Sequence, residues 1–377
     1  MTSPLLNRLL HTLSTTTDPV SSAVLSAQIA CYQARVGEFE DAESRRIELR
    51  RVFGDGHSPQ VSILVMCLEA LLMFFKELDP NARDRLLRAN LISVACHERP
   101  LIALTSAWMA HLDFNAGRYE SMAKSMQACA TNLDADDGTA ACRLALVLGD
   151  AFDFVGNSQT ARVWYEDARI TASRLGDQAA VGAITYNRAA LHVSNGRVKR
   201  ISGELERTEV ALIGGEVKSA INYQAVARLK SLDHLLRSAS VGALMLEDRF
   251  EEASVAILTL LASSAVPAGS AELALLYADQ ALCLAKIGKG DQALEMAGAA
   301  KAMNSGDFDP DDRALISNSL SEYSATTGDY DQARTLRELA RVALEEHQVT
   351  IGRLSGLLSA FASGPTSGQG HRRPSSS

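Results

Sequence analysis

About every forty residues this chain makes the same turn. The turn is seen in Gly37-Glu38-Phe39-Glu40-Asp41-Ala42, Gly117-Arg118-Tyr119-Glu120, Gly156 through Ala161, Asp248-Arg249-Phe250-Glu251-Glu252-Ala253, Gly288 through Ala293 and Gly328-Asp329-Tyr330-Asp331-Gln332-Ala333. A helix stops at Gly or a polar residue, aromatic and polar residues follow, and Ala packs the start of the next helix. Ala253, Ala293 and Ala333 recur at intervals of 40, and Gly117, Gly156 and Gly196 at 39 and 40. A fixed period of this size marks stacked helix pairs, each too small to bury its apolar face alone.

The expected fold is therefore all-α: a right-handed solenoid of antiparallel helix pairs, about eight of them. Hydrophobic residues make up 47% of the chain and aromatics only 5%. That mix suits close helix packing, with Ala at crossings and Leu filling the seams. Residues 1–19 read as an N-terminal capping helix, 20–362 as the solenoid, and 363–377 as a Gly/Ser/Pro/Arg tail without core, expected to be disordered. The fifth pair is expected over 178–194 and 198–213. The 52 residues from Gly196 to Asp248 then leave a surplus, read as a long or broken helix over 217–247. The last helix, from 330 to 362, carries a stripe of Leu336, Leu339, Val342, His347, Ile351, Leu354, Leu358 and Phe361. The stripe is expected to cover the open end of the stack, or to form the seam of a homodimer.

The formal net charge of -8 argues against nonspecific nucleic-acid binding. Six cysteines stand without a CxxC pair, as expected of free thiols in a reducing cytoplasm. No secretory signal is read at the N-terminus. The most apolar stretch, 61–75, contains Glu69 and reads as a buried helix, so no membrane span is expected.

Several motifs fall short of chemistry. Gly214-Gly215-Glu216-Val217 has part of a diguanylate-cyclase signature but lacks its second acid, and reads as a linker. Asp134-Ala135-Asp136-Asp137-Gly138 and the alternating Asp307, Asp309 and Asp311 lack the Gly and closing Glu positions of a calcium loop, and read as capped inter-helix turns. The eight histidines show no metal spacing, and no nucleophile triad, Walker loop or GxGxxG is present. No catalysis, metal or cofactor is expected. Arg45, Arg46, Arg50 and Arg51 alternate with Glu43 and Glu48 and read as a solvated face.

The repeats resemble tetratricopeptide repeats (TPR). The resemblance is clearest in Leu144 through Phe152 with Gly156 and Ala161, in Thr185 through Ala190, and at the Gly-x-x-Asp-Gln-Ala turns of the last two pairs. The period of about 40, and Met122 and Ile201 in place of the packing Ala, make the chain more similar to the TPR regions of bacterial signalling proteins than to peptide-clamp co-chaperones. The resemblance implies a concave face lined by the first helix of each pair. Aligned to the repeat, that face would present Trp108, His111, Arg143, Asp150, Tyr186, Asn187, Asp279, Asn318 and Glu322. Asn187 matches a position that holds a peptide backbone or carboxylate in some TPR domains, without the flanking lysines. The expected function is binding of a protein or peptide segment in bacterial regulation. The alternative is a sensory module for a small molecule or short peptide, marked by a deep closed pocket near the 217–247 irregularity, where a scaffold would show an open groove.

Overall fold

The computed structural model describes residues 3–54, 58–134, 136–263, 266–303 and 306–364. Among them the fold is all-helical, without strands. The helices are α1 (Pro4–Thr15), α2 (Pro19–Val36), α3 (Phe39–Phe53), α4 (Pro59–Leu72), α5 (Ala82–Ala95), α6 (Arg99–Asn115), α7 (Tyr119–Asn132), α8 (Gly138–Phe154) and α9 (Ser158–Leu175). They continue with α10 (Gln178–Ser202), α11 (Arg207–Ala227), α12 (Asp233–Leu246), α13 (Phe250–Leu261), α14 (Ala271–Lys286), α15 (Gly290–Met303), α16 (Pro310–Thr326) and α17 (Tyr330–Leu357). Each even-numbered helix from α2 to α16 packs against its successor in the chain. Their connecting turns are short, which folds the members of a pair back on one another. Most of the tail lies outside the described residues.

The recurring Ala residues sit at helix crossings: Ala161, Ala253, Ala293 and Ala333 are all buried. Several helix starts are capped by a side-chain acceptor, whereas Asp137 and Asp309, at the starts of α8 and α16, make no such bond. Asp18, Asn157, Asp177 and Asp329 accept from the backbone N–H three residues on, each contributing about 1 kcal/mol. Gly37 closes α2 with φ +88°, and a Cβ there would lie 2.7 Å from the backbone N of Ser231. Gly thus serves both the left-handed turn and a tertiary approach.

The fifth turn differs from the expected one. Gly196 is not a turn: α10 runs unbroken from 178 to 202 and ends at Gly203, φ +76°. Gly196 instead lets Ile213 and Leu246 close in, since a Cβ would stand 2.7 and 3.2 Å from them. Gly214 and Gly215 are likewise not a linker but lie inside α11. The surplus of residues is a broken helix, with α11 ending at Arg228, φ +57°, and α12 starting at Asp233. α4 runs on into a π-turn, Met73–Glu77, and α5 begins at Ala82. The Asp79 N–H closes that turn on the Met73 carbonyl at 2.9 Å.

Helix 59–77 is long and apolar enough, by length and composition, to cross a membrane. Half of it is buried in the protein, and its Glu69 carboxylate accepts from Arg50 at 2.9 Å and from Arg85. Arg46 lies 3.6 Å from the same carboxylate, so Glu69 ties the helix into the fold through three cations.

Both ends of the chain return to its middle. Ser3 Oγ donates to the Gly176 carbonyl at 2.8 Å. Lys230 N–H donates to the Val36 carbonyl at 2.9 Å, and Arg35 pairs with Asp177 at 2.8 Å. The stripe on α17 is divided: Leu354 and Leu358 are fully buried in the core of α6–α9, whereas Leu339 and Val342 are exposed. Arg353 pairs with Glu120 of α7. The lower half of the stripe therefore seals against α7 and α8.

Candidate functional site

One helix, α10, separates two cavities. The first has a volume of about 400 Å³ and is lined by the π-turn (Phe74, Phe75, Leu78), α6 (His111, Phe114, Asn115), α8 (Arg143, Asp150), α10 (Ala183, Tyr186, Asn187, Ala190, Leu191) and the start of α12 (Ser231, Leu232, His234, Leu235). The residues from α10 recur at helical spacing, so they share one face. The π-turn inserts one extra residue per turn and re-aims the side chains after it, which brings Phe74 and Phe75 onto this wall.

Asp150 lies at the base, 1% exposed. Its carboxylate accepts from the Tyr165 hydroxyl at 2.9 Å and from the Asn187 amide at 2.7 Å. Burial pushes its pKa up to about 7, even though both hydrogen bonds and Arg143 pull it down. Arg143, 5% exposed, stacks its guanidinium 3.8 Å over the Trp108 ring. Burial, with the nearby Arg35 charge, lowers its pKa to about 10, so it remains a cation at neutral pH. Among the described residues it has no ion-pair partner. Asp177, the other acid nearby, is taken by Arg35 at 2.8 Å and by the Ala180 N–H at 2.9 Å.

The remaining polar groups on this wall are mostly idle. His111 is 5% exposed and its Nδ1 has no partner. Burial and the Arg143 charge hold it well below the ordinary imidazole value, so it is neutral. His234 Nε2 is also buried without a partner, and burial lowers its pKa. Burial raises the Tyr186 phenol, which is therefore a proton donor rather than a phenolate. The Ser231 hydroxyl donates to the Arg35 carbonyl at 2.5 Å and so is held in place.

Five of the nine residues predicted to face a groove line this cavity together: His111, Arg143, Asp150, Tyr186 and Asn187. Trp108 does not line it. It is 4% exposed and supports the wall from behind, edge-on to Phe75 and His111 with ring centroids 6.1 and 5.8 Å apart. Asp279 lies elsewhere, buried and bidentate to Arg197 at 2.7 and 2.9 Å, with Ser319 Oγ donating at 2.7 Å. Asn318 donates to Glu322 at 3.0 Å, and both line a cleft of about 30 Å³ beside Arg197 and Arg200. Sequence reasoning missed Phe74, Phe75 and His234. Their one signal was that the turn after Glu77 lacks the glycine that closes most of the others.

The second cavity, about 610 Å³, lies across α10 and is lined by Asp153, Arg162, Tyr165, Glu166, Arg169, Arg188, His192 and Glu216, among others. Most of its charges are matched: Arg169 with Glu166, Arg188 with Glu216, and His192 between Asp153 (3.0 Å) and Glu216. Burial disfavours a charged His192, but the two carboxylates outweigh it and raise its pKa to about 9. No cluster of three potential metal ligands occurs among the described residues. No protein-family model and no curated protein matches this sequence.

Proposed function

We propose that the protein is a non-catalytic sensor: a TPR-like solenoid of about eight helix pairs that binds a small organic ligand in the 400 Å³ cavity. The observation that carries this reading is the position of the cavity, against the break between α11 and α12 and walled by four successive first helices and the π-turn. A ligand there touches α6, α8, α10 and α12 at once, so its occupancy biases how those pairs stack and hence the curvature of the whole array. The size fits a small organic molecule, for which pockets run from roughly 300 to 1,000 Å³. The first expectation from sequence is an open groove for an extended protein segment; five of the nine predicted residues line this one cavity, while Asp279, Asn318 and Glu322 gather around Arg197, further along α10. The reading assigns no bond chemistry. His111 is neutral with its Nδ1 unpartnered, and Ser231 donates its proton to a backbone carbonyl.

Ala190 lies on the cavity wall, so Ala190→Trp should fill it with little effect on the second cavity. Protein from its native host, purified and then denatured, should release a small molecule detectable by mass spectrometry and absent from Ala190→Trp preparations. Identical extracts from the two proteins would sink the sensor reading.

A further inference from the structure

We infer that the occupant of the cavity is a small organic monoanion, with its carboxylate or equivalent group against the Arg143 guanidinium and its apolar body among Phe74, Phe75, Phe114 and Leu235. The inference rests on the reading of this cavity as the binding site and adds the chemical class of the molecule that enters it.

Three observations carry it. First, Arg143 is 5% exposed and pairs with no carboxylate among the described residues. Both acids near enough to serve are committed: Asp177 to Arg35 and the Ala180 N–H, and Asp150 to Tyr165 and Asn187. A buried cation without a counter-ion is a standing cost that a bound anion removes. Second, the Trp108 ring, 3.8 Å away, covers the face of the guanidinium, while hydrogen bonding uses its edge. The in-plane N–H groups stay available in the fork that matches a carboxylate. Third, the unpartnered groups on the same wall are mainly donors or potential donors: His111, Tyr186 and His234 make no hydrogen bond among the described residues, and His111 Nδ1 and His234 Nε2 are buried. A second anionic group would find no second cation on this wall, and a cationic ligand would meet Arg143 with Arg35 behind it. The aromatic and aliphatic remainder of the lining asks for an apolar body.

The probes are 3-phenylpropionate, 3-phenylpropanamide and 3-phenylpropylamine, compared at fixed ionic strength by calorimetric titration and thermal unfolding. The acid should bind about ten-fold or more tightly than the amide, as a charge-assisted bidentate contact requires, and the amine should not bind. Arg143→Met should erase the acid's advantage, Arg143→Lys should keep part of it, and Ala190→Trp should abolish binding of every probe. The comparison of acid and amide on the unaltered protein needs no variant to fold. Equal binding of acid and amide, abolished by Ala190→Trp, would overturn the anion inference and leave the cavity as the site. No binding of any probe, or binding untouched by Ala190→Trp, would overturn both. A tripeptide ending in Phe, with free and with amidated C-terminus, separates the two sources of a carboxylate. Tighter, carboxylate-dependent binding of the free peptide supports the same anion subsite and assigns it to a chain end.

Discussion

The two cavities on either side of α10 differ in the opposite sense from what volume alone would suggest. The larger, at about 610 Å³, is lined by charges that largely neutralise one another across α9, α10 and α11. The smaller, at about 400 Å³, holds one buried cation without a counter-ion and two imidazoles and a phenol without hydrogen-bond partners among the described residues, beside an aromatic wall. The larger is a solved electrostatic problem and the smaller an open one. Recognition belongs where groups have been desolvated but not satisfied, because there a ligand gains hydrogen bonds that water and protein do not already supply.

The contrast can be broken at the groups that join the two sides. Tyr165 lines the charged cavity while its hydroxyl holds Asp150 of the other. Gly149 faces that ring, and a Cβ at Gly149 would stand 2.6 Å from it. Gly149→Leu should therefore cost the most, about 3 kcal/mol or more, combining overpacking with an orphaned buried carboxyl. Thermal and denaturant unfolding should show it, and an unchanged midpoint would mean that Tyr165 moves away freely. Ala161→Trp should cost less, about 1–3 kcal/mol, because it overpacks the fully buried crossing of α8 and α9 without removing a polar partner. Ala293→Trp is the control far from either cavity and should cost a similar amount.

The matched charges of the larger cavity predict a pH signature. His192 has its pKa raised to about 9 by Asp153 and Glu216, against about 6.5 for an unfolded histidine. The folded state therefore holds an extra proton between those values. Its stabilisation is complete below about pH 6.5 and disappears as pH rises through 9, a loss on the order of 1 kcal/mol for this partly exposed group. Glu216→Gln should flatten the slope over that range; an equal slope in the variant would refute the assignment. The smallest effect should have the opposite sign. Arg143→Met replaces an unpaired buried cation by an apolar side chain, and should stabilise the ligand-free protein by about 1 kcal/mol. Clear destabilisation would mean that the stacking on Trp108 outweighs the cost of the lone charge.

Much of the helix order is readable from the chain because left-handed turns leave a mark. Gly37, Gly117, Gly156, Gly288 and Gly328 all have positive φ and all fall in the recurring turn. Gly196 misleads because glycine has two uses, and a close approach by Ile213 carries no positional signature in one sequence. The π-turn carries none either, so the Phe74–Phe75 wall stayed hidden. Of the candidate site, the repeat register brought out the face of α10 with Tyr186 and Asn187. It could not tell that Arg143 would lie on Trp108, or that Asp279 would be claimed by Arg197 from α10, 82 positions away. Those depend on how distant pairs meet, and periodicity describes only neighbours.

The return of α17 to α7 and α8 bears on how the molecule comes apart. In an array whose pairs touch only their neighbours, the end pair opens first and the rest come apart in sequence. Here Leu354 and Leu358 are fully buried in a core formed by helices more than 170 residues earlier, and Ser3 and Val36 are bound to residues beyond 170. Neither end is then free to peel, and opening either one exposes the centre. Such a chain should lose its structure in one cooperative step, with slow amide exchange spread along its length instead of graded from its termini. The final contacts close very large loops, so its folding should be slow for an all-helical protein.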